Sequence, residues 1–143
     1  MVKIIVVIIL KMNKIYNIIA NYMYIQLYIN NYMFNTKVLK TPKNITNGMM
    51  GKTFDDKFDA LLFDTNIINT QEQSFWMKNC IVPLDIIFIK NGKINKIYNN
   101  CPPCTTNNCK KYSGKGDYII EMPGGTCKNL KFKKNDIITI NNK

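Results

Sequence analysis

A chain of 143 residues supports one compact domain and leaves little room for two. Its formal charge of +11 points toward polyanions. However, all 20 basic residues are lysines, and heavy use of Asn, Ile, Tyr and Lys marks AT-rich coding. Without arginine there is no bidentate fork for phosphate or guanine, so no sequence-specific nucleic-acid partner is expected. Histidine is absent as well, which removes the commonest general base and metal ligand.

Residues 1–35 read as a segment distinct from the rest. Lys3 precedes the apolar run Ile4 to Leu10, as in a signal peptide, although no small-x-small cleavage site follows. From Ile15 to Thr36 no side chain is charged, a length that suits a membrane anchor, while Asn17, Asn21, Gln26, Asn30 and Asn31 interrupt its apolarity. The segment is therefore signal-like, anchor-like or a disordered extension, and residues 36–143 are expected to form a single globular domain. Membrane association or export follows from the first two readings and a soluble intracellular protein from the third.

Lys37 to Lys40 reads as the first strand of that domain. Thr41 then offers an N-cap with Pro42 at the first helical position, so a short helix is expected to about Asn47, where Gly48 ends it. Leu61 to Phe63 is a short strand and Ile67 to Glu72 a connection. Gln73 to Asn79 alternates, which places Phe75 and Met77 on one face and Ser74, Trp76 and Lys78 on the other. Leu84 to Lys90 and Lys93 to Tyr98 form a hairpin about Asn91-Gly92, a pair suited to two successive positive φ angles. A Pro- and Cys-rich loop covers residues 101–117. Tyr118 to Met122 is a further strand, Pro123 to Asn129 a turn entering a short helix, and Ile137 to Ile140 the last strand.

Polar residues inside these apolar strands are the site candidates. Trp76 and Lys78 share a strand side, where an indole face and an ammonium would receive a sugar, a base or a carboxylated ligand, or would merely pack as core and snorkelling stem. Asp85 shares its face with Ile87 and Ile89, so its carboxylate needs a partner such as Lys78 or a backbone amide. Glu121 poses the same question. Asp85 and Glu121 are the weak catalytic candidates, as an acid/base pair of the kind glycoside hydrolysis uses. Structural pairing is the competing reading.

Five cysteines stand at positions 80, 101, 104, 109 and 127. Cys101 and Cys104 have the spacing of a zinc or redox pair, but Pro102 and Pro103 argue against the helix that a redox motif opens. A zinc site would have to recruit Cys80 or Cys127. The favoured alternative is a disulfide between Cys104 and Cys109, and free thiols are the third. No metal and no cofactor is assigned.

These residues together resemble the family called domain of unknown function 192, or uncharacterised protein family 0127. Its opening strand, short helix and Gly-Leu-Met-x-Arg turn are similar to Lys37 to Lys40, Pro42 to Asn47 and Gly48 to Lys52. Its Met-Leu-Phe strand is similar to Leu61 to Phe63. Its Phe-Trp-Met-x-Asn and Pro-Leu-Asp-Ile-x-Phe hallmark matches Phe75 to Asn79 and Pro83 to Phe88. Pro103-Cys104 through Cys109 and Tyr112 match its cysteine loop, and Ile120 to Gly125 its Leu-Glu-x-Pro-x-Gly segment. Asn135 to Ile138 stand where it has Gly-Asp-x-Val.

The resemblance implies an α+β domain with a mainly antiparallel, strongly bent, barrel-like sheet and one or two short helices. It also implies carriage behind a signal or anchor, and hence an oxidised Cys104–Cys109 pair. It implies no established activity. The expected function is a non-enzymatic binding or accessory domain with a small-molecule or protein partner, using Trp76, Lys78, Asn79, Asp85 and Glu121. A small enzyme acting on carbohydrate or cell-envelope material is the first alternative. A purely structural or protein-interaction domain is the second.

Overall fold

Strand β1 (Met23–Ile29) buries Ile25, Leu27 and Ile29 at every second position and turns Tyr24 outward, the period that a pleated strand imposes. The computed structural model describes residues 23–65 and 72–141. A turn at Asn30, with φ of 52°, leads to β2 (Tyr32–Leu39), which pairs antiparallel with β1 from Tyr32 back to Val38. Residues 23–35 therefore belong to the sheet, and the expected boundary at residue 36 moves toward the N-terminus. The alternation of Ile25, Leu27 and Ile29 lay hidden in a stretch apolar enough to suggest a membrane anchor. Residues 1–22 lie outside the described residues, among which no helix is long and apolar enough to cross a membrane.

Helix α1 (Pro42–Asn47) follows as expected: Thr41 Oγ1 accepts a hydrogen bond from the Asn44 amide at 3.2 Å, and Gly48 closes the helix at φ 44°. The segment containing it supplies the crossover that lets β3 (Ala60–Asp64) lie parallel to β2. After β4 (Gln73–Trp76) come β5 (Leu84–Lys90) and β6 (Lys93–Cys101), joined through Asn91 and Gly92 at φ 51° and 69°. Then follow β7 (Lys111–Gly114), β8 (Tyr118–Pro123), α2 (Thr126–Asn129) and β9 (Ile138–Asn141).

Seven strands form one sheet in the order β6-β5-β8-β3-β2-β1-β9, antiparallel except for β2 against β3. Its outer strands meet at one corner. Ile94 N donates to Asp136 O, Asn135 N to Ile94 O and Ile138 N to Gly92 O, which closes the bent sheet toward a barrel. Asn135 supports this corner in the left-handed conformation at φ 75°.

Both faces of the sheet are covered. Leu27, Ile29, Leu62, Ile87, Ile120 and Met122 lie in one core with Cys127 of α2, and Leu61, Phe63, Ile86, Phe88 and Ile119 lie in the other with Met49 and Met77. Hence β5 is buried continuously from Leu84 to Ile89 instead of alternating. Strand β7 arises inside the segment read as loop. Its four residues offer one apolar side chain, Tyr112, and its partner β4 is remote in sequence. Gly114 is required there, because a Cβ would stand 2.9 Å from the Phe88 ring.

Candidate functional site

Glu121 sits on β8 between β3 and β5, opposite Leu61 and Ile86. Residues opposed in register share a sheet face, so its carboxyl enters the second core. The side chain is 4% exposed, and Oε2 is the single buried side-chain polar atom without a hydrogen-bond partner among the described residues. Burial pushes its pKa up to about 8, against the opposing pull of Lys52. Lys52 itself does not reach the carboxylate as an ion pair: its Nζ donates to Gly48 O at 3.0 Å.

The carboxyl opens on a cleft of about 260 Å³. One wall is the end of α1 and the Gly48–Met50 turn, the other is Glu72 to Trp76, and Phe63 and Cys80 add to the lining. Phe63 and Phe75 stack edge to face with centroids 4.9 Å apart. Trp76, the chain's one tryptophan, is 45% exposed at this cleft. The Cys80 thiol is raised to about 11, chiefly by burial and further by Glu121, and is a poor nucleophile near neutrality.

The other candidates lie elsewhere. Asp85 is opposite Met122, on the first face of the sheet. It is fully buried, and its partners are backbone amides: Oδ1 accepts from Asn100 N at 2.7 Å and Gly125 N at 3.0 Å, and Oδ2 accepts from Cys127 N at 2.7 Å. It ties the end of β6 and the start of α2 to β5. Asp85 and Glu121 therefore point away from each other and form no acid/base pair; one position of register separates them, and alternate positions face opposite sides.

Lys78 also leaves the cleft. Its Nζ donates to Thr106 O at 2.8 Å and Asn107 Oδ1 at 2.9 Å, inside the loop closed by the Cys104–Cys109 disulfide. Cys80, Cys101 and Cys127 are free and buried. Asn79 acts through its backbone at φ 57°, receiving Gly51 N on its carbonyl and donating to Cys104 O, both at 2.9 Å. Of the five expected site residues, Trp76 and Glu121 line the cleft, and Lys78, Asn79 and Asp85 make structural contacts outside it. Sequence reasoning missed Met49, Met50 and Cys80 as lining. The Gly48–Lys52 turn was visible as a family segment, with nothing to say that it faces β4.

The family model for domain of unknown function 192, described as "Uncharacterized ACR", matches residues 25–140. The chain belongs to this family. Two crystal structures share the fold of this domain of unknown function 192 protein. One, from Sinorhizobium meliloti 1021, is a provisionally assigned transcription regulator; it is 23% identical with a TM-score of 0.70, over 84% of this chain and 95% of that one. The other, a protein of unknown function from Novosphingobium aromaticivorans DSM 12444, is 23% identical with a TM-score of 0.68, over 82% of this chain and 84% of that one. At that identity the likeness speaks to fold. No curated protein matches the chain.

Proposed function

We propose that this domain of unknown function 192 protein is a non-enzymatic ligand-binding or accessory domain whose small-molecule ligand occupies the cleft between Trp76 and Glu121. The observation that carries this is Glu121 Oε2, buried without a partner at the wall of a cleft of about 260 Å³. An unmet buried polar atom costs about 1–3 kcal/mol, which a ligand that pairs with it recovers. An aromatic wall with a few convergent polar groups is the usual make-up of a small-molecule site. The enzyme alternative loses its support when Asp85 lies on the far face, and the high thiol pKa of Cys80 offers no replacement nucleophile.

A thermal-shift screen of the full chain tests the reading. A true ligand raises the wild-type melting temperature, and the rise shrinks in Glu121→Gln and Trp76→Ala. If no compound stabilises the wild type, or if both variants respond as it does, the reading is wrong.

We further infer export or membrane tethering through residues 1–22. The Cys104–Cys109 disulfide supports an oxidising compartment, and the Lys3 to Leu10 run supports a leader or anchor. Fractionating cells that express the full chain or a form lacking residues 1–22 decides it, since an unchanged soluble distribution contradicts the inference.

A further inference from the structure

Charge is distributed unevenly around the cleft. The chain has 20 lysines and a net charge of +11, yet the described lining residues include no lysine and two carboxylates, Glu121 in the wall and exposed Glu72. The rings of Phe63, Phe75 and Trp76 also line it. Ring faces and carboxylates attract the same kind of guest, one with positive charge spread over an apolar body. Lys52, whose charge lowers the Glu121 pKa, is bound to the Gly48 carbonyl and makes no salt bridge with Glu121.

An anionic ligand would find no lysine in the described lining and would be repelled by Glu121 wherever that group is ionised. A purely apolar ligand would leave Oε2 unpaired and seal it further from water. We infer that the cleft binds a compact organic ammonium ion, its cationic head against Glu121 and its body among Phe63, Phe75 and Trp76. This rests on reading the cleft as the ligand site and adds the chemical class of the ligand.

Binding is coupled to a proton. In the empty cleft Glu121 holds its proton up to about pH 8, and an ammonium ion pairs with the ionised form, so binding near neutrality releases that proton to solvent. Below about pH 8 affinity should climb toward tenfold per pH unit, and then level off. The groups that act on or feel Glu121 are Lys52, Cys80 and Cys101, with Glu72 also in the lining. Both thiols are raised to about 11 and stay protonated through this range. Lys52 lowers the Glu121 pKa and works against burial.

The test is calorimetric titration of the full chain with tetramethylammonium, butylammonium and benzylammonium. Each is matched to an uncharged analogue, respectively tert-butanol, butanol and benzyl alcohol. At least one ammonium ion should bind about tenfold or more tightly than its analogue, with affinity rising from about pH 6 to about pH 8. Glu121→Gln should abolish both the preference and the pH dependence. Trp76→Ala, at a position 45% exposed, should weaken the ammonium series severalfold.

Equal binding of charged and uncharged members overturns the inference about charge and leaves the ligand site standing. So does silence of every ammonium ion when a neutral or anionic library compound stabilises the chain in a Glu121-dependent way. If nothing binds in either experiment, both the inference and the underlying reading fall.

Discussion

Asp85 and Glu121 stand one position out of register on the paired strands β5 and β8, and their carboxyl groups enter opposite cores. Asp85 is closed off by three backbone amides, whereas Glu121 keeps an oxygen unmet beside a cleft. Two buried carboxylates of one small domain are thus placed differently, the first holding chain segments together and the second with an oxygen unmet at the wall of the cleft.

Replacing Asp85 should therefore damage folding and spare recognition. Asp85→Ala removes the acceptor of three amides, each bond to a charged group contributing about 1.5–3 kcal/mol, so a loss of roughly 3–5 kcal/mol is expected once partial solvation is allowed for. Urea unfolding should show the lower midpoint. Variant that remains folded should respond to ligand as the wild type does.

Glu121→Gln should act in the other direction on stability. Burial raises the folded-state pKa from 4.5 to about 8, so the native state binds more protons than the unfolded chain between these values. Stability then falls as pH rises from about 4.5 to about 8 and is level beyond, a change of a few kcal/mol for a shift of this size. Gln carries no such penalty. Thermal melts at several pH values should show the variant gaining on the wild type as pH increases, and a parallel pair of curves would refute the assignment.

The disulfide has a simple chemical signature. Denatured, unreduced protein should titrate three thiols, those of Cys80, Cys101 and Cys127. In the native state burial raises all three thiols, so they should react slowly with alkylating reagents. Removing the bridge by Cys104→Ser with Cys109→Ser should cost about 2 kcal/mol by loop entropy. It should also loosen Lys78, whose contacts at Thr106 and Asn107 lie within the closed loop.

Trp76 offers a direct optical readout, because it is the chain's one tryptophan and lines the cleft. Its emission should be that of a partly hydrated indole and should shift to the blue when a ligand covers it. Trp76→Ala should lower stability by about 1–2 kcal/mol, because more than half of the side chain is covered, which a denaturant titration measures.

Local signals determined a good deal on their own. Thr41-Pro42 with Gly48 specified a capped helix, and Asn91-Gly92 a two-residue hairpin, because these depend on φ preferences and hydrogen bonds a few residues apart. The ordered family segments specified the fold class, and the alternation from Gln73 to Asn79 separated buried Met77 from exposed Trp76. What local pattern could not reach were pairings across long stretches of chain. Strand β1 looked like anchor because its partners β2 and β9 were needed to show that Ile25, Leu27 and Ile29 share a buried face. Strand β7 needed β4. Asp85 and Glu121 each looked like a carboxylate in an apolar strand, and neither residue's neighbours in sequence said which core it would enter. The register of β5 against β8 decided that, since one step along a pleated strand reverses the face, and with it placed Glu121 at the cleft and Asp85 among the amides that hold the domain together.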